Sequence, residues 1–379
     1  NGPLELYTET SHVATRGQEV LDGAITGRRG ARIDGRGVGV AVVDSGVDGT
    51  HPDLESRMGG NVKIICSAPQ FVVTSATGGF TQCIAPKHVV EADDTDSLSG
   101  GGHGTHVAGI VAGTGKASGG RYHGAAPGAT VYGVSVGTVL VVENALDGLA
   151  WVLENHDRVS PAIKVVNNSW GSSYRPYDPQ NGPFHKATWK LQEALVAEGV
   201  TVVFAAGNGG GNGTTPTTSA ECINPTPGIV CVANYDDRNT GTRDGVIAST
   251  SSRGRTDQPE NWPDVSAPGS LIISTCRLTL PVCNAHRSPV VDPPNLYAQL
   301  SGTSMAAPHV AGIVAQMYQA KPKSLTPARV EDVLEDTAYK FQWGAPYTTD
   351  PFNADDTSSF EKGHGLVDAL AALQLLLGR

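Results

Sequence analysis

Five short apolar runs, separated by stretches of helical period, constrain this chain more than any other feature of its sequence. The first, VGVAVV at 38–43, is rich in Val and shows no polar alternation before it reaches Asp44-Ser45-Gly46. Such a run suits a strand covered on both faces in a parallel sheet. Comparable runs stand at 130–136, 164–166, 201–205 and 229–233, each soon followed by Gly, Asn or Ser. Helix-period stretches lie between and after them, at 103–113, 143–154, 187–197, 304–318 and 327–336. The alternation predicts an α/β fold, a three-layer, doubly wound and mostly parallel sheet. Sheets of this kind bind ligands outside the carboxyl ends of their strands. Asp44, the Asn168-Ser169-Trp170 turn and the Gly207-Asn208 turn all fall there.

Composition narrows the partners. With 47 Gly and 24 Pro the chain has the tight turns that an α/β or β-rich enzyme needs, rather than those of a helical bundle. Its 379 residues can bury one large core, so a single domain over 1–379 is expected. A formal charge of -10 disfavours a nucleic-acid or anionic-membrane surface and fits a soluble monomer. No apolar run reaches the roughly 18 residues of a membrane span; the stretch 366–377 is broken by Asp368 and Gln374. The chain opens at Asn1 with no basic-then-apolar leader, which reads as a mature form from which a signal and further upstream sequence have been removed.

The six cysteines fall into three close pairs, Cys66 with Cys83, Cys222 with Cys231 and Cys276 with Cys283. Fifteen connectivities are formally open, and nearest-neighbour disulfides are the preferred reading. No CxxC spacing or adjacent His cluster supports the zinc alternative. Disulfides imply an oxidising, extracellular setting.

Three segments carry candidate chemistry: Asp44 in VAVVDSGVDGTHPDL, His103 in GHGTHVAGIVAG and Ser304 in SGTSMAAPHVAGIVA. A serine hydroxyl is a weak nucleophile unless an adjacent base takes its proton. His103 suits that role, and a buried carboxylate such as Asp44 would hold the imidazole in one tautomer and stabilise its positive form. Each segment alone is common, but the three together and in this order are not.

These segments resemble the signature stretches of the subtilisin-like serine proteases, the subtilases, whose triad runs Asp, His, Ser. The likeness extends from about residue 37 to GHGLVDALAAL at 363–373. It implies a subtilisin-like fold and a secreted serine endopeptidase acting through an acyl-enzyme, with broad specificity. A narrow processing protease and a catalytically silent binding module are the alternatives. The likeness further implies that Asn208, in FAAGNGG at 204–210, donates to the oxyanion beside the Ser304 N–H. An extended peptide would pair with Ser169, Trp170 and Gly171 on one side and Val139, Leu140 and Val141 on the other, near Gly207. Trp170 and the Val-rich edge suggest apolar subsites. The expected partners are protein and peptide substrates and the chain's own inhibitory, folding-assisting propeptide.

Other residues resemble site groups less well. Asp48, His51 and Asp53 are expected to shape a loop, and His106 and His309 to be structural. Glu221 reads as an exposed loop carboxylate or a group favouring a basic substrate residue. Met305, beside Ser304, is expected to be oxidation-sensitive. The family commonly binds structural calcium and uses no cofactor for catalysis. The acidic turn holding Asp93, Asp94 and Asp96 offers oxygen ligands for such an ion.

Overall fold

The computed structural model describes residues 7–27, 30–66, 69–74, 78–83, 87–96, 101–136, 142–172, 182–288, 293 and 295–379. Helices α1 (Tyr7–Ala14) and α2 (Gly17–Leu21) precede strand β1 (Gly39–Asp44). Strands β2 (Met58–Cys66), β3 (Pro69–Thr74), β4 (Gly78–Cys83) and β5 (Lys87–Glu91) follow, then α3 (His103–Ala112) and β6 (Thr130–Ser135). Next come α4 (Val142–Asn155), β7 (Ile163–Asn168), α5 (Gly182–Ala197), β8 (Thr201–Ala205), β9 (Ile229–Asp236) and the short β10 (Val246–Ile247). The rest is β11 (Val265–Pro268), β12 (Ile272–Thr275), α6 (Pro281–Ala285), β13 (Tyr297–Leu300), α7 (Thr303–Ala320), α8 (Pro327–Asp336), β14 (Thr348–Thr349), β15 (Thr357–Ser358) and α9 (Ala369–Leu377).

The main sheet runs β10-β9-β8-β7-β1-β6-β2-β5, with β11 also paired to β9. The five strands expected from the apolar runs form its uninterrupted parallel centre, β9-β8-β7-β1-β6. Only β5 and β10 join it antiparallel, one at each end of that order. Alternate residues of β1 show why the run carries no polar position. Val40 and Val42 enter a core shared with Val107, Ile110 and Val111 of α3 and Val310, Ile313 and Val314 of α7. Ala41 and Val43 enter a second core with Ala145, Leu149 and Val152 of α4 and Leu195 of α5. Each fully buried Val contributes on the order of 1.5–3 kcal/mol, so both faces resist a polar substitution. Helices on both faces of a mostly parallel sheet make the expected three layers.

Cys222–Cys231 and Cys276–Cys283 are disulfides, with Cα separations of 5.0 and 5.4 Å. The Cys66 and Cys83 side chains lie outside the described residues. Among the described residues no helix is long and apolar enough to cross a membrane.

Candidate active site

The parallel centre of the sheet delivers three loops to one edge. β1 ends in Asp44, β7 runs into Ser169, and β8 is followed by Gly207 and Asn208. Two helices begin against the same edge, α3 with His103 as its first residue and α7 with Ser304 as its second.

Asp44 is fully buried, and its Oδ1 accepts from His103 Nδ1 at 2.7 Å and from the Ser45 N–H at 2.7 Å. Glycine makes that approach possible. A Cβ at position 104 would lie 2.2 Å from the Gly46 carbonyl oxygen and 3.0 Å from Asp44 Cβ. Burial works against protonation of His103, but the charge and hydrogen bond of Asp44 outweigh it and hold the imidazole pKa above its ordinary value. The imidazole therefore has an oriented, basic Nε2 and a 24% exposed side chain at the mouth of the site.

A second buried carboxylate stands behind this pair. Asp96 Oδ1 accepts from the Ser45 hydroxyl at 2.8 Å, while Oδ2 accepts from the Thr105 N–H at 3.1 Å and from the Thr105 hydroxyl. The Ser45 hydroxyl in turn accepts from the Gly104 N–H at 3.0 Å. Asp96 thus ties the residue after Asp44 to the first turn of α3. Burial raises its pKa to about 6 against the pull of these hydrogen bonds.

The start of α7 is built around an interrupted helical bond. Pro308 lies inside the helix and cannot donate to the carbonyl of Ser304, four residues before it. That carbonyl instead accepts from the Ser169 hydroxyl at 2.8 Å. The Ser304 hydroxyl returns a bond to the Ser169 carbonyl at 3.0 Å. Ser304 is therefore moored to the end of β7, and among the described residues it makes no hydrogen bond to His103.

Asn208 is fixed through its oxygen. Its Oδ1 accepts from the Thr303 N–H at 3.0 Å and the Thr303 hydroxyl at 3.2 Å. A backbone N–H can only donate, so the facing atom must be the carboxamide oxygen, leaving Nδ2 as a donor. Nδ2 stands over Gly302, where a Cβ would approach it to 3.2 Å and where φ is +155°. Of the first-turn N–H groups of α7, Thr303's is taken by Asn208 and Met305's by the Gly302 carbonyl, which leaves Ser304's at the positive end of the helix dipole. A tetrahedral oxyanion beside Ser304 would meet both kinds of donor.

The subtilase family model matches residues 35–365. The chain belongs to the subtilase family. It is 34% identical to serine protease AprX of Bacillus subtilis over 93% of this chain and 71% of that protein. It is 32% identical to fervidolysin of Fervidobacterium pennivorans over 90% of this chain but only 41% of that longer protein. The crystal structure of fervidolysin, described as a keratinolytic enzyme related to subtilisin, superposes with a TM-score of 0.64 at 27% identity. It covers 97% of this chain and 45% of that one. Subtilisin E of Bacillus subtilis is 28% identical over 98% of this chain and 76% of that protein. The chain is accordingly an enzyme, a serine endopeptidase of the subtilase type.

Within this subtilase, several expected residues sit differently from their sequence reading. Trp170 is not a subsite wall. Its ring is 8% exposed, packs edge-on to Phe204 at 5.0 Å, and donates its indole N–H to the Val43 carbonyl at 3.0 Å. Only its backbone is left for a peptide. Gly207 faces Thr303, whose hydroxyl accepts from the Gly207 N–H at 3.1 Å. Val139, Leu140 and Val141 lie outside the described residues.

Glu221 is neither exposed nor open to substrate. It is fully buried, accepts from the Ser172 N–H at 2.9 Å and lies 3.2 Å from His185 Nδ1. Met305 is only 1% exposed, which shields its thioether from oxidants. His106 and His309 are buried, and both bond backbone carbonyls: His106 meets Ile272 and Ala298 at 3.1 Å, and His309 meets Met305 at 2.9 Å. Asp53 accepts from the Tyr297 hydroxyl and Asp48 pairs with Arg277, consistent with roles in shaping the loop.

The acidic turn does not offer a convergent set of oxygens. Asp96 is committed to Ser45 and Thr105, and Asp94 Oδ1 accepts from the Asp96 N–H at 2.9 Å. Asp93 contributes its carbonyl to the Gly49 N–H and to Asn61 Nδ2. The sequence reading missed the part of Ser45 and Asp96 in seating His103, and the pairing of His185 with Glu221. The first leaves only an acidic turn ahead of GHGTH, which reads alike for an ion site and a buried anchor; the second carries no local signal.

Proposed function

We propose that this subtilase is a secreted endopeptidase, a single peptidase domain and a monomer, in which Ser304 is the nucleophile, His103 the general base and Asp44 the orienting carboxylate. The observation that carries the reading is the 2.7 Å bond from His103 Nδ1 to fully buried Asp44 at the sheet edge where Ser304 opens α7. With substrate bound, the Ser304 hydroxyl leaves the Ser169 carbonyl and gives its proton to His103 Nε2 as Oγ attacks the scissile carbonyl carbon. Asn208 Nδ2 and the Ser304 N–H hold the oxyanion that forms. Collapse breaks the C–N bond, and His103 returns the proton to the departing amine. Water then repeats the sequence on the acyl-enzyme, with His103 as its base.

Strand addition along Ser169, Trp170 and Gly171 reads main chain rather than side chains, which favours broad specificity on proteins and peptides. An upstream propeptide would serve as inhibitor and folding aid, making the product of synthesis a zymogen. Two disulfides and the name of one relative, the extracellular protease of Xanthomonas campestris, favour an extracellular setting. Structural calcium fits the family, but among the described residues the carboxylates of Asp93, Asp94 and Asp96 do not converge on one point.

The test is labelling with a serine-directed fluorophosphonate and peptide mapping, beside casein hydrolysis by wild type and Ser304→Ala. The expected result is an adduct on Ser304 and caseinolysis lost with the alanine. A folded protein that neither labels nor hydrolyses casein would move the reading to a silent binding module.

A further inference from the structure

The chain enters α3 through three consecutive glycines, 100–102, so no side chain of its own fixes the residue before His103. Gly102 is the N-cap of the helix at φ +111°, and the space where its Cβ would stand is filled from outside. Cys283 Sγ would lie 2.6 Å from that Cβ and Cys276 Sγ 3.4 Å from it. Cys276 Sγ also lies 3.5 Å from the Gly102 carbonyl oxygen, which accepts from the His106 N–H at 3.0 Å. The Val282 N–H, inside the ring that the disulfide closes, donates to the Gly101 carbonyl at 3.2 Å.

The same ring reaches the loop that follows Asp44. Arg277, the residue after Cys276, pairs with buried Asp48 and donates from Nη2 to the Thr50 carbonyl at 2.9 Å. Just ahead of the ring, Ser274 and Thr275 of β12 donate their hydroxyls to the carbonyls of His106 at 2.8 Å and Thr105 at 2.7 Å. Both cysteines are fully buried and join the core that α3 shares with α7. One small covalent ring thus touches the entry to the His103 helix on one side and the loop after Asp44 on the other.

We infer that the Cys276–Cys283 disulfide is a positioning element for His103, keeping its Nδ1 in register with Asp44 through the contacts it makes with Gly101 and Gly102. The inference rests on the reading of His103 as general base. Cys222–Cys231 is the natural comparison within the molecule. The two bridges, Cys222–Cys231 and Cys276–Cys283, span sequence separations of 9 and 7, so they restrict the unfolded chain almost equally. They differ in what the sulfurs touch once the chain has folded, since Cys222 and Cys231 belong to the opposite core, with α4 and α5. A catalytic pair needs its geometry held to about 0.5 Å, and a glycine backbone supplies the least restraint of any. Without the bridge, Gly101 and Gly102 relax into the vacated space and the bond from His103 to Asp44 loosens.

The test compares Cys276→Ala/Cys283→Ala with Cys222→Ala/Cys231→Ala and wild type, each as the full chain and well below its melting temperature. In the first pair kcat for peptide hydrolysis should fall about tenfold with KM nearly unchanged, and in the second it should stay within about twofold of wild type. Fluorophosphonate labelling of Ser304 should slow by the same factor in the first pair, because it draws on the same base. Asp44 and Asp96 hold the His103 pKa above 6.5, so loosening should also move the acid limb of kcat/KM down toward that value, a shift that lost stability alone does not produce. If the first pair fails to fold, Cys276→Val/Cys283→Ala refills part of the space and is judged by the same readouts. Wild-type kcat and acid limb without the Cys276–Cys283 bridge, or equal losses in the two pairs, would overturn the inference and leave the catalytic reading standing. A folded wild type that neither labels nor hydrolyses peptide would instead overturn the catalytic reading, and this inference with it.

Discussion

Two histidine–carboxylate pairs in this molecule share their chemistry and differ in everything around it. His103 meets Asp44 at 2.7 Å and His185 meets Glu221 at 3.2 Å; both carboxylates are fully buried and both imidazoles partly exposed. In both, the carboxylate raises the histidine pKa, although at His103 burial is the largest influence and opposes it, whereas at His185 the close approach of Glu221 leads. Glu221 spends its other oxygen on Ser172, and the bonds from His185 and Ser172 lower its pKa against its burial. The distinction is what lies beyond the imidazole. His103 opens a helix beside the first turn of α7, where Ser304, its N–H and Asn208 converge; among the described residues no such group is bonded to His185. A His–carboxylate pair becomes catalytic machinery only where a nucleophile and an oxyanion site share its edge of the sheet.

The comparison can be broken most severely at the nucleophile. Ser304→Ala should cost about 10⁶ in kcat, a magnitude borrowed from the family's type enzyme rather than obtained from this chain, whereas His185→Gln should leave kcat within about tenfold. Steady-state peptide hydrolysis separates the two. Asp44→Asn should lower kcat about 10⁴-fold by presenting the wrong tautomer to His103. A drop no larger than that of Glu221→Gln would erase the difference between the pairs. Asn208→Ala should cost about 10²–10³ in kcat with KM nearly unchanged, again a size known from the family's own asparagine.

The structural pair should answer in a different measurement. Glu221→Gln keeps one acceptor oxygen for Ser172 but removes the charge and turns an NH2 toward His185, and should cost roughly 3 kcal/mol in denaturant unfolding; an unchanged midpoint would mean that the pair holds nothing. The smallest expected effects are in pH. His103 must be neutral to act as base and its pKa is raised, so the acid limb of kcat/KM should lie above the ordinary histidine value of about 6.5. Burial lowers His309 to about 4 and His106 to about 3. Folding holds these two neutral while the unfolded chain protonates them, so stability should be full above about 6.5 and fall as pH drops from there through about 4. A melting temperature flat across that window would show that they do not titrate as their burial dictates.

Much of the sheet was legible because β1, β6, β7, β8 and β9 are buried on both faces, and a buried parallel strand leaves an unbroken apolar run. The edges were not. β2 opens with Met58-Gly59-Gly60, and four of the five residues of β5 are exposed, so neither shows the run or the alternation that marks a strand. Asp44, His103 and Ser304 could be picked out because each lies in a dense local motif. Asp96 could not be assigned, since an acidic turn reads alike whether its oxygens meet an ion or, as here, a serine 51 residues earlier in the chain. Trp170 reads as part of an apolar subsite and Glu221 as a loop carboxylate, because a loop position gives no sign of which neighbour will cover it.

Pro308 bears on how this enzyme could be redesigned. A procedure that scored each helix by its residue propensities would flag a proline in the interior of α7 and replace it with alanine, expecting a gain. The replacement would supply an amide that competes with the Ser169 hydroxyl for the Ser304 carbonyl and weakens their bond. The helix would become more regular while the serine at its entrance came loose from the strand that receives the peptide. Improvement of the part would then degrade the registration of the whole.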